Sequence, residues 1–270
     1  MAAFRTSLLS HCRAVHPSKK AGKVSCLYSD QGKKEVKCND TPYARLSEHI
    51  GEFPLVLITP YDTDLIREGS EERRRFFDAM LCQLSQEYLQ RLMRYNHALR
   101  QRNELLKLFA ERNKLDRDLL ASYDRVVVPE AQYLARERSH FVQAFRASLV
   151  ENYALLAGEL EEVSLEHESK VLDEQFAKRF DQSLEKDLAL RRTHLGAHRD
   201  DFLFNLKGQS IKRIGSQGQQ KSYVIALKLA QYSLMTQIKG YQPLLLLDDI
   251  FDRLDDLRIS RLVKLVSGAA

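Results

Sequence analysis

Apolar positions recur along this chain with two periods, one suited to strands and one to helices. Val24–Tyr28 and Glu35–Cys38 are short β-prone runs around the turn-rich Asp30-Gln31-Gly32-Lys33, a pattern that predicts a hairpin. Leu55-Val56-Leu57-Ile58-Thr59 is a continuous apolar run closed by Pro60, which suits a buried strand ended by the proline. The period then lengthens. Phe77, Leu81, Leu84, Tyr88, Leu92, Tyr95 and Leu99 recur at helical steps. No Gly or Pro falls between Glu71 and Ser122, so one long helix is predicted there, with Val126-Val127-Val128-Pro129 interrupting it. A second helix should carry Leu134, Phe141, Phe145, Leu149, Tyr153 and Leu156 on one face. Alternating Val163-Ser164-Leu165-Glu166 suggests a short strand, after which Leu172, Phe176, Phe180, Leu184 and Leu188 resume the helical period.

From Gly196 the texture alternates again. Phe202–Leu206 and Ile211–Ile214 read as strands around Lys207-Gly208-Gln209, Gly218–Ile238 as a helix and Leu244–Leu247 as a buried strand. Strands at both ends with helices between predict an α/β fold in which residues 1–70 and 195–270 form a discontinuous head. Residues 71–194 then form an antiparallel helical arm, because such helices can bury their stripes only against one another. The repeats are too ragged for strict heptads.

Composition narrows the class. Charged residues make up 29% and apolar ones 44%, an ordinary globular balance, and the net charge of +5 permits a polyanionic partner without demanding one. Cys12, Cys26, Cys38 and Cys82 form no C-x-x-C pair and no histidine cluster completes a ligand set, so neither zinc nor a disulfide framework is expected. No apolar run approaches the ~20 residues that span a bilayer. Met1-Ala2-Ala3-Phe4-Arg5 lacks the apolar core of a signal peptide, so a cytoplasmic protein with no membrane partner is expected.

Two motifs carry candidate chemistry. Leu244-Leu245-Leu246-Leu247-Asp248-Asp249 is an apolar strand ending in two acids, which sets carboxylates at the C-terminal edge of a sheet. The first can orient Mg²⁺, usually through its water shell, and the second can polarise the water that attacks a γ-phosphate. Alone, the pair reads equally as an acidic turn after a buried strand. Gly215-Ser216-Gln217-Gly218-Gln219-Gln220 opens a helix and would present backbone N–H groups and a hydroxyl to an anion, or be only a serine N-cap.

Together these motifs resemble the signature-to-Walker B arrangement of ABC-type ATPases, and Leu254-Asp255 stands where that superfamily has its D-loop. Pro60-Tyr61-Asp62, Gly69 and Arg73-Arg74-Arg75-Phe76-Phe77-Asp78 resemble the pattern P-x-D … G-x-x-x-R-R-x-F-x-D of the RecF family. Gly196-Ala197-His198-Arg199-Asp200-Asp201 resembles its G-x-H-R-D-D. The resemblance implies an ABC-ATPase-like head with an inserted helical arm, using ATP and Mg²⁺. It also implies a weak DNA-stimulated ATPase of replication, recombinational repair and the SOS response. Such a protein would bind single- and double-stranded DNA, dimerise on ATP, and act with RecO and RecR to load RecA at gaps.

By the same resemblance Asp249 is catalytic and Asp248 serves the metal. Ser216, Gln217, Gly218, Gln219, Gln220 and Asp255 contact nucleotide across a dimer, and His198 and Arg199 lie near it. Read from the residues alone, Arg73–Arg75 could equally be a solvated helical face anchoring the arm, and His198-Arg199 part of an internal ion-pair corner.

The sequence departs from the family in one respect that matters. No G-x-x-x-x-G-K-[ST] occurs in its 270 residues, and the end at Ser267-Gly268-Ala269-Ala270 falls where relatives continue, so the chain reads as a fragment. A non-catalytic DNA- or protein-binding module is the alternative, and an SMC-like structural ATPase piece a weaker one. Arg73 and Arg74 are candidate DNA contacts. Arg91, Arg94, Arg100, Arg102 and Lys107 recur along the first long helix, some opposite its apolar stripe. Of these, Arg94, Arg100 and Lys107 are the residues expected to touch backbone phosphates, although Glu87, Glu104 and Glu111 could pair with the series instead.

Overall fold

The computed structural model describes residues 9–16, 19–28, 34–112, 114–158 and 161–248, with side chains from residue 23 onward. The chain opens with β1 (Leu9–His16), β2 (Lys19–Tyr28), β3 (Lys34–Cys38) and β4 (Thr41–Pro42), which pair antiparallel in sequence order. The predicted hairpin is β2 and β3, running from Val24↔Cys38 to Tyr28↔Lys34. β5 (Leu55–Ile58) stops at Pro60, where Thr59 and Asp62 form a capping box.

Helices follow: α1 (Asp64–Arg67), α2 (Ser70–Leu84), α3 (Gln86–Arg112) and α4 (Arg117–Ala157). Next come β6 (Val163–Glu168), α5 (Phe176–Gln182), α6 (Leu184–Leu190), β7 (Asp201–Leu206) and β8 (Gln209–Ser210). The described part ends with α7 (Ile211–Ile214), α8 (Gln217–Lys239) and β9 (Leu244–Leu247). β9 lies parallel to β5, from Leu55↔Leu244 to Ile58↔Leu247. β6, β7 and β8 form a separate antiparallel sheet.

Three elements differ from the sequence expectation, each for a local reason. The long helix breaks at Ser85, whose backbone is extended and whose hydroxyl accepts from the Tyr88 amide, so Ser85 ends α2 and caps α3. It breaks again before Asp116, which caps α4 by accepting from the Leu119 amide. Pro129 does not interrupt α4. Its ring is exposed, while Val127, Ala131 and Leu134 beside it are fully buried, and that packing outweighs the ~3 kcal/mol a proline costs inside a helix. Ile211–Ile214 is a helical turn rather than a strand, with only Ile211 buried.

One hydrophobic core unites elements from both ends and the middle of the chain. α8 is buried almost without interruption from Ser222 to Gln231, as a helix covered on all sides must be. It packs along α4 and against β5, and α4 also packs along α3. β6, from the predicted arm, pairs with β7 of the predicted head, and Tyr223 of α8 donates its hydroxyl to the Ser164 carbonyl. The stretches 71–194 and 195–248 therefore share strands and core.

Phe77 sits at the centre of that sharing. Its ring stacks on Phe202 of β7 at 4.0 Å between centroids and meets Phe145 of α4 edge-on at 5.5 Å. Phe77→Ala is expected to destabilise the chain by about 3–5 kcal/mol in urea unfolding. A loss under about 1 kcal/mol, within the scatter of surface changes, would contradict a shared core at this point.

Candidate functional site

The two arginine-and-acid motifs meet in space, and a third residue joins them. α2 carries Arg73, Arg74 and Asp78, and the turn before β7 carries Ala197–Asp201. Arg138 of α4 is sealed between them with 2% of its side chain exposed. Its Nε and Nη2 donate to the two Asp78 oxygens at 2.9 and 2.8 Å, and Nη1 donates to Asp200 Oδ2 at 2.8 Å and the Ala197 carbonyl at 2.7 Å. Tyr88 donates its hydroxyl to Asp78 Oδ1, and His167 Nε2 lies 3.2 Å from Asp200 Oδ2. Burial works against the Arg138 charge, yet Tyr88, Asp78 and Asp200 hold its pKa well above the usual arginine value.

Neighbouring motif residues complete this corner. Arg73 forms a two-pronged pair with Asp201, at 2.8 and 3.0 Å, and caps the Glu68 carbonyl. Arg74 donates to Ser70 Oγ and the Asp200 carbonyl. The His198 ring is half-buried, with Nδ1 against the Tyr95 hydroxyl at 2.7 Å and Nε2 against the Thr193 carbonyl at 3.0 Å. Desolvation pulls its pKa down to about 4, and Arg199 beside it is exposed. Of these residues, Arg73 and His198 have their polar atoms committed inside the protein, which answers the internal ion-pair reading rather than a free surface.

A second buried arginine lies further along α3. Arg102 bonds Asp124, Asp187 and Thr193 at 2.6–2.7 Å under the Phe180 ring, and burial raises the Asp124 pKa. It is a member of the basic series that turns inward, and it was not among the expected phosphate contacts. Sequence reasoning missed Arg138 and did not single out Arg102 as buried, although both interrupt apolar stripes at helical spacing: Leu134, Arg138, Phe141, Phe145 and Leu99, Arg102, Leu106, Phe109. A charge inside a stripe signals a buried pair.

The signature-like turn is a formed helix cap. Ser216 Oγ accepts from the Gln219 amide at 3.2 Å, and Gln219 Oε1 accepts from the Ser216 amide at 2.8 Å. Gln220 Nε2 donates back to the Gly215 carbonyl, and Gln219 Nε2 to Glu161. A Cβ on Gly215 would meet the Ile211 carbonyl at 2.6 Å, so the approach to the turn needs glycine. Ser216 and Gln217 are exposed and Gly218 half-buried, so the helix end with its outward-pointing amides is open to an anion.

β9 ends beside a different stretch of α8. The Asp248 amide donates to the Ile58 carbonyl, and Lys228 bonds both the Leu57 carbonyl at 2.9 Å and Asp62 Oδ1 at 2.7 Å. Asp62 also accepts from the Thr59 amide, so the acid of the P-x-D motif fastens the end of β5 to α8. From Ser216 to Lys228 the helix covers roughly 18 Å. The signature turn and the acidic strand end thus occupy separate levels of one helix. Asp248 is exposed and its carboxylate fits a solvated cation; Asp249 and Asp255 lie outside the described residues. Among the described residues no group of three or more metal-ligating side chains converges.

The remaining basic candidates lie on α3. Arg94 is exposed and paired with Glu130, Arg100 is exposed, and Lys107 is paired with Glu104. Arg91 pairs with Glu87 and lies over Tyr133. Among the described residues no helix is long and apolar enough to cross a membrane.

A helix opened by a capped Ser-Gln-Gly-Gln-Gln turn, packed on β5 whose parallel partner β9 ends in acid, defines this as an incomplete ABC-ATPase-like α/β head. The chain belongs to the RecF family. The DNA replication and repair protein RecF of Cytophaga hutchinsonii is 47% identical over 237 residues, covering 88% of this chain and 63% of that protein. That of Flavobacterium johnsoniae is 39% identical, covering 91% and 68%. The chain spans about two thirds of the length of these relatives. The solved structure of the recombination mediator protein RecF-ATP in the RecFOR pathway superposes with a TM-score of 0.84 at 28% identity, over 93% of this chain and 69% of that one. Its RecF-ATPrS counterpart gives 0.82 over 91% and 68%. No family model matches the chain.

Two outcomes test the corner. Arg138→Met strands the buried Asp200 and the half-buried Asp78 and is expected to cost about 3–5 kcal/mol in urea unfolding, part of which returns when Asp78→Asn and Asp200→Asn are added. His198 titrates at about 4 in the fold against an ordinary 6.5, so its contribution is complete above pH 6.5 and is lost as pH falls through 4. His198→Gln should flatten stability over that window relative to the unaltered chain, and parallel curves would show that the ring does not hold this low pKa.

Proposed function

We propose that this chain supplies the signature half, the acidic strand end and the helical body of a RecF-type recombination mediator. In this reading the protein works in the cytoplasm in DNA replication, recombinational repair and the SOS response. It binds single- and double-stranded DNA, dimerises on ATP and acts with RecO and RecR to load RecA at gaps. Its kinship to RecF through most of its length supports that assignment.

The observation that carries the ATP part is the separation along α8. A turn about 18 Å from the level of Lys228 is poorly placed to clasp the phosphate that Asp248 and Asp249 serve in the same subunit. Ser216–Gln220 would instead meet ATP held by a second subunit, with the Ser216 hydroxyl and the helix N-terminus facing the γ-phosphate. Asp255 would cross the same interface. Bound Mg²⁺ would neutralise phosphate charge, with Asp248 orienting it through water and Asp249 polarising the attacking water. His198 serves this reading by holding the 193–198 loop through Tyr95, and Arg199 is the member of that motif left free to reach an anion. On the arm, Arg94, Arg100 and Lys107 remain available for backbone phosphates, with their carboxylate partners as competitors. Arg73 contributes to DNA binding through the corner it stabilises rather than as a free surface, whereas Arg74 commits only Nη1.

The absence of a G-x-x-x-x-G-K-[ST] from these residues favours a second reading for the chain by itself, a module without catalysis. Phosphoryl transfer depends on positioning and neutralising the γ-phosphate, so the 270-residue chain should bind ATP weakly and not hydrolyse it. Magnesium-dependent turnover abolished by Asp249→Ala would overturn this. In a form of the protein that also carries a phosphate loop, Ser216→Arg should block ATP-driven dimerisation in sedimentation while nucleotide titration stays within about twofold. Equal loss of both would remove the trans assignment.

A further inference from the structure

A cleft of about 430 Å³ opens over the Arg138 corner, between α2, α3 and the loop at residues 191–199. Its lining includes Arg74, Arg75, Arg138, Arg192 and Arg199, against the carboxylates of Glu71 and Asp78. Two of the five arginines are neutralised within the protein: Arg138 by Asp78 and Asp200, and Arg75 by Glu71 and Glu72. Among the described residues, no carboxylate lies within 4 Å of Arg74, Arg192 or Arg199. Arg74 is half-buried and lines the cleft, and among the described residues only its Nη1 is committed, to a hydroxyl and a carbonyl, which leaves Nε and Nη2 as donors. Burial and the adjacent Arg138 disfavour its charge, so an anion in the cleft would relieve an existing cost.

We infer that this cleft is a phosphate-binding site, with Arg74 fixed at its base and Arg192 and Arg199 closing on the ligand from the exposed rim. Phosphate fits better than carboxylate. A tetrahedral phosphate offers oxygens in several directions to converging guanidiniums, whereas a carboxylate presents two oxygens in one plane and suits one two-pronged arginine. The buried Arg138 network sets the floor, so Arg74 cannot swing away to find another partner. The phosphate can come from a DNA strand, in which case the inference rests on the DNA-binding reading above, or from a free polyphosphate chain.

The experiment uses the full chain and two probes: sodium tripolyphosphate by calorimetry, and an oligothymidylate by fluorescence anisotropy across a salt series. Arg192 and Arg199 are exposed, so Arg192→Glu with Arg199→Glu should leave urea unfolding unchanged. The double variant is expected to lose at least about tenfold in affinity. For the oligothymidylate, the salt slope should fall by about 1.4, the equivalent of two single-strand phosphate contacts. Arg74→Gln, checked by the same unfolding curve, should weaken binding in the same direction. Loss for both probes assigns the site to phosphate from either source, loss for tripolyphosphate alone assigns it to a free polyphosphate, and loss for the oligothymidylate alone to a strand. Unchanged affinity for both probes overturns the inference. Oligothymidylate binding that survives with an unchanged slope leaves the DNA-binding reading standing without this cleft, whereas an unaltered chain that binds neither probe overturns both.

Discussion

The guanidinium of Arg138 is the group on which the other arrangements depend. Taking one charge out of water costs several kcal/mol, and this one is tolerated because Nε, Nη1 and Nη2 all meet acceptors, shared between two other elements. Those acceptors are Asp78 on α2 and the Ala197–Asp200 turn, so one side chain on α4 dictates where two sequence motifs lie. Asp201 follows immediately and takes Arg73, which starts β7 in register with β6. The same helix packs α8 along its length. The orientation of the signature turn relative to the motif corner is thereby set through α4 rather than by contact between them. Specificity is the larger gain here, since buried ion networks contribute little net stability but tolerate few alternative packings.

What could be read from the chain divides by range. Apolar periodicity is local, and it located β3, β5, β7, β9 and α8 to within a residue or two and the C-terminal half of β2, together with the capped Ser216 turn. The errors lie where a tertiary term outweighed a local one or where a cap was weaker than a glycine. Pro129 is tolerated because its neighbours are buried on both sides, and Ser85 breaks a helix that no Gly or Pro marks. The motif residues of the site were visible as chemistry, but their partners were not. Arg138 pairs with residues 60 and 62 positions away, and only a structure shows that Asp78 and Asp200 face one another across it.

The division of the chain into head and arm meets the same limit. Helical texture in residues 71–194 is plain in the sequence, yet texture does not say which surface a helix covers. α4 buries Leu134, Phe145 and Tyr153 completely, and its neighbours include α8 and β6 as well as α3. A helix shared in this way couples the region bearing the signature turn to the cleft over Arg138 through close-packed side chains, which transmit displacement rather than absorb it.

The position of Lys228 shows how that coupling reaches the strand ends. The residue is about nine-tenths buried, and its ammonium lies over the Phe76 ring and bonds the Leu57 carbonyl and Asp62 together. It therefore joins α8 to the end of β5 at the level where β9 delivers Asp248. α8 is a single uninterrupted helix, so its capped N-terminus and the level of Lys228, which is tied to the end of β5 beside β9, are joined by a rigid rod. A glycine or proline between Ser216 and Lys228 would uncouple the two levels, and none occurs after Gly218 in that stretch. The sequence between the motifs is thus constrained by stiffness as well as by the motifs themselves, which accounts for a buried, unbroken helix where a looser connection would satisfy the same spacing.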